Sequence, residues 1–480
     1  MQSIGYIIFL IWIALLFPVS GGELEDLLQL AWADNPQIKA QCALVDQALA
    51  AHREVLEFLD PTLFAAGGYG SQLRGLPLNP AGSTQVGAED SLEAQGGVLV
   101  PVKGGAYLAA GAVTRRWTNP PDYRDPLYQH LVGVRLQIPL WRDRGFALLG
   151  CRERAALAAY RATHERMVGK VMEVRHNVEL AYIDACSAKN AYQITQGATH
   201  RFERLNQEAR ELADLKTIPE YQYTETVRDL QNGREDEEIA RNAQLTSLVA
   251  LSAAVGIREP LAELQCTSEE FLASAATAEL PDFTIDVEVA MEFRSEPCAL
   301  RNDREQVQAQ YEQVLEEHRD QITLNVGLNW MDDSRRGLFS ESYGSASRNW
   351  GFDAMISWSR PLDYTGADAR MAQFQAKLDE LDAQLEAQRV AIAAELRSAQ
   401  LRLEAARRRL ELVNAGVEAA RQTVAAEQER FKMGEGNSHA VLEAQKNLTA
   451  TLLRQNSATA ELLRALSDYH YACGYPPENL

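Results

Sequence analysis

The residue types that do chemistry are scattered through this chain rather than set at catalytic spacing. Its 480 residues include eight histidines, and His164-Glu165 lacks the second histidine that a zinc-binding HExxH helix needs. No Gly-x-Ser-x-Gly elbow, phosphate-binding loop or dinucleotide fingerprint is present. Gly67-Gly68-Tyr69-Gly70 is glycine-rich but lies in a strand-like run, where small residues allow close packing. The six cysteines (Cys42, Cys151, Cys186, Cys266, Cys298 and Cys473) show no metal-ligand spacing. These features predict no enzyme, no resident metal and no cofactor. What the chain has in excess is acid: 67 Asp and Glu against 47 Lys and Arg, a net charge of −20. That balance argues against nucleic acid as a partner, which would call for a basic face.

Most of the carboxylates read as the solvated surface of long helices. Two stand just past turns. Glu443 follows Gly434-Glu435-Gly436-Asn437, and Glu225 follows Lys216-Thr217-Ile218-Pro219 at the matching place in the first half. Each is either a surface acid stabilised by the positive end of a helix dipole or a member of a charged ring that filters ions.

The elements around these acids are written twice. Ala31-Trp32-Ala33-Asp34-Asn35 opens a predicted helix running to Asp60-Pro61, followed by the apolar stretch Thr62–Tyr69. Ala290-Met291-Glu292-Phe293-Arg294 opens another, running to Asp320-Gln321 and followed by Ile322–Trp330. Gln137-Ile138-Pro139-Leu140 matches Ser359-Arg360-Pro361-Leu362, and Leu251–Gly256 matches Tyr469–Gly474. The offset shrinks only once, so the first copy carries about 40 extra residues between Pro61 and Pro139. Each copy reads as helix, strands, long helix, return helix: residues 23–258 and 284–474, joined by a linker at 259–283 and followed by a tail at 475–480.

From Met371 to Phe431 apolar residues step by three and four, through Leu378, Leu381, Ile392, Leu396, Leu403, Val417 and Val424. This is coiled-coil spacing, and some 60 residues of it make a rod of about 90 Å. Such a seam is expected to need neighbouring helices from other chains. A return helix over Ser438–Ala472 starts at a Ser cap after the glycine turn. The first copy repeats this with a helix from Leu148 to Leu215 and a return helix to Val255, Pro219 sitting where its missing N–H costs nothing.

The short segments alternate. Ile322, Leu324, Val326, Leu328 and Trp330 interleave with polar or small residues, as do Trp350–Ser359 and Val132–Leu140. Nine or ten residues with one apolar and one polar face fit a membrane β-strand, and also an ordinary half-buried sheet. Trp330, Trp350 and Trp358 sit at strand ends, where an aromatic belt would lie. The N-terminal segment, 1–22, holds the apolar run Ile7–Val19, then Ser20-Gly21-Gly22. That is signal-peptide length, although no Lys or Arg precedes the run; an uncleaved anchor is the alternative. Cys266 and Cys298 flank one loop-like region and could pair after export; six unpaired cysteines at helix interfaces is the simpler reading.

Phe431-Lys432-Met433-Gly434 followed by Ala440-Val441-Leu442-Glu443-Ala444-Gln445 resembles the second tip motif of the TolC-like outer-membrane factor family, whose members serve drug efflux, metal efflux and type I secretion. Ala33-Asp34-Asn35-Pro36 resembles that family's first-helix opening, and Ile138–Gly145 its strand-to-helix re-entry. The resemblance covers residues 23–474. It implies a mostly helical fold with membrane β-structure: a homotrimer pooling strands into a transmembrane β-barrel and antiparallel helical hairpins into an α-barrel. It implies an outer-membrane location with the helices in the periplasm. The function implied is an exit duct of a tripartite efflux pump or type I secretion system, working with a periplasmic adaptor and an inner-membrane pump. Glu443, joined by Glu225, would ring the channel constriction. Phe431, Gly434, Gly436, Leu215 and Pro219 would form the tips that meet the adaptor. Two departures stand out. Lys216 occupies the place of Gly434 in the first turn. Six strand candidates are present where the family usually has four, the surplus being Gly97–Val102 and Ala106–Val113. The other function open to the sequence is a periplasmic coiled-coil adaptor tethered by an uncleaved N-terminus.

Overall fold

The computed structural model describes residues 23–75, 86–102, 104–118, 127–215, 219–267, 271–272, 287–334, 350–360, 365–433 and 438–474. The expected signal segment, the C-terminal tail, both tip turns and much of the linker lie outside them. Among these residues the elements run in order α1 Glu23–Asp34, α2 Pro36–Glu57, β1 Thr62–Gly75, β2 Val86–Val102, β3 Ala106–Thr118, β4 Leu127–Pro139, α3 Ala147–Asp214, α4 Glu220–Val255, α5 Val287–Phe293, α6 Ser295–Glu317, β5 Gln321–Ser334, β6 Trp350–Ser359, α7 Thr365–Lys432 and α8 Ser438–Cys473. The repeat is exact in the hairpins. Both long helices, α3 and α7, have 68 residues, and both return helices, α4 and α8, have 36. The extra residues of the first copy are the β2–β3 hairpin.

The described residues form two compact units, one of Asp46–Arg161 with Arg301–Ala383, the other of the remainder. The first unit holds one six-stranded sheet in the order β1-β2-β3-β4-β5-β6, every neighbour antiparallel. The strands run longer than their alternation predicts: β5 reaches Ser334 and β4 begins at Leu127. At this end polar residues continue the ladder, so the apolar signal stops before the hydrogen bonding does. One cross-strand row reads Leu63, Val98, Ala110, Val134, Leu328, Phe352. Leu63 and Phe352 are 83% and 73% exposed, so this face has no protein cover within the chain. The opposite face carries Glu93, Gln95, Arg115, Arg135, Asn325 and Asp353, with Arg115 Nη2 2.6 Å from Glu93 Oε2.

In the second unit the two hairpins and the short helices make the core. Ala290 and Met291 of α5 pack with Ile392, Leu396 and Leu403 of α7 and Leu462, Leu466 and Tyr469 of α8. Leu28 and Ala31 of α1 pack with Val174 and Val178 of α3 and Leu248 and Leu251 of α4. Two expectations are corrected here. The apolar seam of α7 needs no other chain, because Ile392, Leu396, Leu403, Val417 and Val424 are buried within this one. What α7 leaves in water is a different stripe, with Val390, Leu401 and Leu412 exposed.

The two opening helices are not continuous. Each is kinked at one residue, Asn35 and Arg294. Pro36 disfavours helical geometry at Asn35, although the Asn35 carbonyl still accepts a hydrogen bond from Lys39 N–H. Each kink receives the end of a return helix. Gly256 (φ 92°) ends α4 against Asn35, whose side-chain amide donates to the Ala254 carbonyl at 3.1 Å; Gly474 (φ 73°) follows α8 against Arg294. A Cβ on Gly474 would stand 2.8 Å from Arg294 Cγ, so close approach and the left-handed backbone both ask for glycine.

None of the six cysteines is in a disulfide, as the simpler reading expected, and the thiol facing Cys266 is that of Cys186 rather than Cys298. Their mutual hydrogen bond, with burial, holds the Cys186 thiol far above its ordinary range and draws Cys266 down. Glu23 sets this neighbourhood: its carboxylate accepts the N–H groups of Gln265 and Cys266 at 2.7 and 3.1 Å and the Tyr182 hydroxyl of α3 at 3.4 Å.

Candidate functional site: the hairpin tips

The return helices bring their first turns together. α4 begins after Pro219, extended at φ −68°, ψ 147° and free of any side-chain cap. Leu215, past the end of α3, is 75% exposed. Gly434, Gly436 and the Phe431 side chain lie outside the described residues. His439, the second residue of α8, places Nδ1 3.5 Å from Glu225 Oε1, and Arg228 Nη2 lies 3.4 Å from the same oxygen. Glu225 is therefore compensated by Arg228 and, when His439 is protonated, from that side as well. Glu443, one turn further along α8, is exposed and makes no ion pair among the described residues. The two acids that the repeat sets at matched positions stand in different electrostatic surroundings.

Between them lies an acid that the sequence reading missed. Asp229 is 2% exposed, with Lys446 Nζ of α8 3.1 Å from Oδ2 and Arg228 Nη2 3.2 Å from Oδ1. The signal was there: Thr226, Asp229, Leu230 and Gly233 step along one face of α4, so a carboxylate sits in a core stripe. Gly233 lets Phe202 of α3 close against α4, since a Cβ there would lie 2.8 Å from the ring. Leu442 of α8 joins Phe202, Leu205 and Leu230 in the same cluster. A buried carboxylate is tolerated only with its charge partners, so Asp229 fixes how α4 and α8 meet at this end.

Further along, α3 and α8 are registered by polar groups. Asn190 Nδ2 donates to Asn456 Oδ1 at 2.9 Å, and Asn456 Nδ2 donates to the Ser187 carbonyl at 2.8 Å. Ser467 donates to Glu179 at 2.7 Å, and beside it the His176 imidazole stacks on the Tyr471 ring at 4.6 Å. A slip of one turn would strand these buried donors, which makes them register pins. His176 Nδ1 lies 3.1 Å from Ser467 Oγ, but that hydroxyl is buried and donates to Glu179, and no cluster of metal ligands occurs among the described residues. The site can hold helix ends together and present charge; it is not arranged for bond-breaking.

Two equal hairpins and one amphipathic sheet, in a chain written twice, define the architecture of a TolC-like channel protein. Residues 298–468 match the family model described as outer membrane efflux protein. No curated protein matches the chain at a significant level. Among solved structures, a membrane protein from Pseudomonas aeruginosa shares 17% identity and a TM-score of 0.65, over 95% of this chain and 93% of that one. The outer membrane protein VceC of Vibrio cholerae shares 14% identity and a TM-score of 0.65 over 94% and 96%. The MtrE outer membrane channel of Neisseria gonorrhoeae shares 14% identity and a TM-score of 0.67 over 94% and 88%. The resemblance read in the tip box thus holds. Part of the second half matches the outer membrane efflux protein family model, and over nearly its whole length the chain has the fold of these channel proteins. That class consists of channels and not of enzymes.

Proposed function

We propose that this chain, freed of residues 1–22, is the exit duct of a tripartite efflux pump or a type I secretion system. Three copies assemble in the outer membrane with their helices in the periplasm. One observation carries the reading: a single chain combines a sheet whose apolar face is uncovered across all six strands with two 68-residue helices, each about 100 Å long. The sheet asks for lipid, and helices of that length span an aqueous compartment. No described helix is long and apolar enough to cross a membrane. In the helical layer α3 and α8 are inner elements, while α4 and α7 expose Ile239, Leu245, Val249 and Val390, Leu401, Leu412. α4 of one copy against α7 of the next would cover both stripes.

The tips are where this duct meets its adaptor and, through it, the inner-membrane pump. Leu215, Pro219, Phe431, Gly434 and Gly436 would form that contact, and Glu443 would ring the constriction. The repeats at 23–258 and 284–474, with the 259–283 linker and the 475–480 tail, follow the same reading. The test is reconstitution of the mature protein. Light scattering with micelle mass subtracted is expected to give three copies, planar bilayers discrete channels, and cell fractionation outer membrane. A monomer without conductance, recovered in the inner membrane with Met1 intact, would mean a tethered adaptor instead.

A further inference from the structure

We infer that this duct closes its membrane barrel with six staves from each chain, eighteen in a trimer, through pairing of β6 of one copy with β1 of the next. The inference rests on the trimeric reading and deepens it. All five internal pairings are antiparallel, so β1 and β6 run in opposite senses. A rotated second copy therefore meets the free edge as one more antiparallel pair. Both edges are open. β1 with 14 residues and β6 with 10 contain neither Lys nor Pro, and their registers run without a skipped residue. Those are the devices by which soluble sheets blunt an edge. In lipid every unpaired N–H and C=O must find a partner, and closure supplies it.

The β2–β3 hairpin obeys the rule of a membrane stave. Leu92, Ala94, Gly96, Val98 and Val100 share the uncovered apolar face with Leu108, Ala110 and Ala112. Glu93, Gln95 and Arg115 share the polar one, where Arg115 pairs with Glu93. The hairpin is inside the sheet, bonded to β1 on one side and β4 on the other, so it cannot lie apart from the wall. Its connection is a tight turn with Gly104 at φ 106° and Gly105 at φ 90°, seated where a Cβ on Gly105 would stand only 2.4 Å from Gly145 N. Tyr107 packs edge-on against Phe146, ring centroids 5.4 Å apart. At the other end the connections are residues 76–85, 119–126 and 335–349. One tight turn at one end against connections of 10, 8 and 15 residues at the other fits the two unlike sides of an outer-membrane barrel.

Strands about 4.8 Å apart and tilted about 40° close eighteen staves at a backbone diameter of about 35 Å, against about 24 Å for twelve. Side chains leave lumens of roughly 25 and roughly 14 Å. The wall then never limits passage, and size selection falls to the hairpin tips.

The test compares the intact protein with a variant lacking residues 76–118, in which β1 runs through the 119–126 loop into β4 and strand directions are kept. A poly(ethylene glycol) whose hydrodynamic diameter falls midway between the two lumen widths is added on the loop side of a planar bilayer. It is expected to enter the intact barrel and cut its conductance severalfold, and to be excluded by the variant. A trimeric channel whose intact barrel excludes the polymer overturns the eighteen-stave wall and leaves the duct standing. A mass other than three copies overturns both. Independently of the deletion, spin labels are placed by Val98→Cys and Gln95→Cys in a cysteine-free background in liposomes. Relaxation of the first by oxygen and of the second by a water-soluble nickel chelate is expected. Equal access of both labels to the chelate overturns the assignment of the hairpin to the wall.

Discussion

The two return helices have the same length and the same place in the repeat, yet one is buried on two faces and the other on one. Asn456, Ala460 and Ser467 of α8 lie buried against α3. Their counterparts in the first copy, Glu238, Asn242 and Val249 of α4, are exposed. Duplication supplied two equal hairpins, and position separated them. Joining the copies in one chain made α8 an inner helix and left α4 an outer one. The stripe that α4 still exposes includes Leu245 and Val249, and in the proposed trimer another copy would cover it. Fold periodicity and burial are therefore separate pieces of information, the first shared by the halves and the second not.

The largest effect should come from exchanging residues across that comparison. Ala460 is 1% exposed and touches Cys186 and Phe271. Ala460→Asn, which copies position 242, adds volume and an unpaired amide to a packed site and is expected to cost about 2–5 kcal/mol. Asn242→Ala should stay within about 0.5 kcal/mol. Denaturant midpoints in detergent measure both, and equal losses would mean that α4 is as buried as α8. A smaller loss is expected from Lys446→Met. It removes one of two cations beside the Asp229 carboxylate and leaves Arg228, so about 1–3 kcal/mol should be lost. Removing both, with Asp229→Leu added, should recover part of that. A further loss in the double variant would show that the pair stabilises rather than merely registers.

Acid sensitivity should also separate the halves. His470 of α8 corresponds to Ser252 of α4, which does not titrate. Burial holds the His470 imidazole below its ordinary 6.5, against the pull of Glu179. The unfolded chain thus takes up this proton first as pH falls, so stability present above about 6.5 is lost progressively toward the lower folded value. His470→Gln is expected to reduce the difference in unfolding midpoint between pH 7.5 and 5.5. An unchanged difference would assign the acid loss to other groups.

Much of this was legible in the residues. The coiled-coil steps placed both hairpins to within a residue or two, apart from the first six residues of α7. The shrinking offset located the β2–β3 insertion before any strand was seen. What stayed hidden depended on three-dimensional context. The kinks at Asn35 and Arg294 keep the apolar period running through them, so periodicity could not report them. The α7 seam showed a need for partners but not whose they were; α5 and α8 of the same chain fill it. Asp229 looked like one more surface acid because its partner Lys446 belongs to the other copy of the repeat, far along the chain. The matched spacing of Glu225 and Glu443 suggested equal roles, and the positions of Arg228, His439 and Lys446 tell them apart.

That last difference gives the smallest effect on stability and the sharpest one on function. If three copies bring the tips to one mouth, Glu443 adds an uncompensated negative charge from each, while Glu225 is offset by Arg228 and, when protonated, by His439. Low-dielectric walls around a narrow opening focus such a field, so the acid without a partner should dominate ion preference. Glu443→Gln is expected to lower the cation-to-anion permeability ratio severalfold in planar bilayers and to weaken block by multivalent cations. Folding should be unchanged within about 0.5 kcal/mol, as for other exposed positions. Glu225→Gln should do less to permeability, because the Glu225 carboxylate is partly buried and Arg228 stays tied to Asp229 after the change. Reversal potentials under a salt gradient measure both variants. Equal shifts would mean that the ion pairs at Glu225 open in the assembled mouth. No shift in either, or in the two combined, would return both residues to the helix surface and place the constriction elsewhere on the tips.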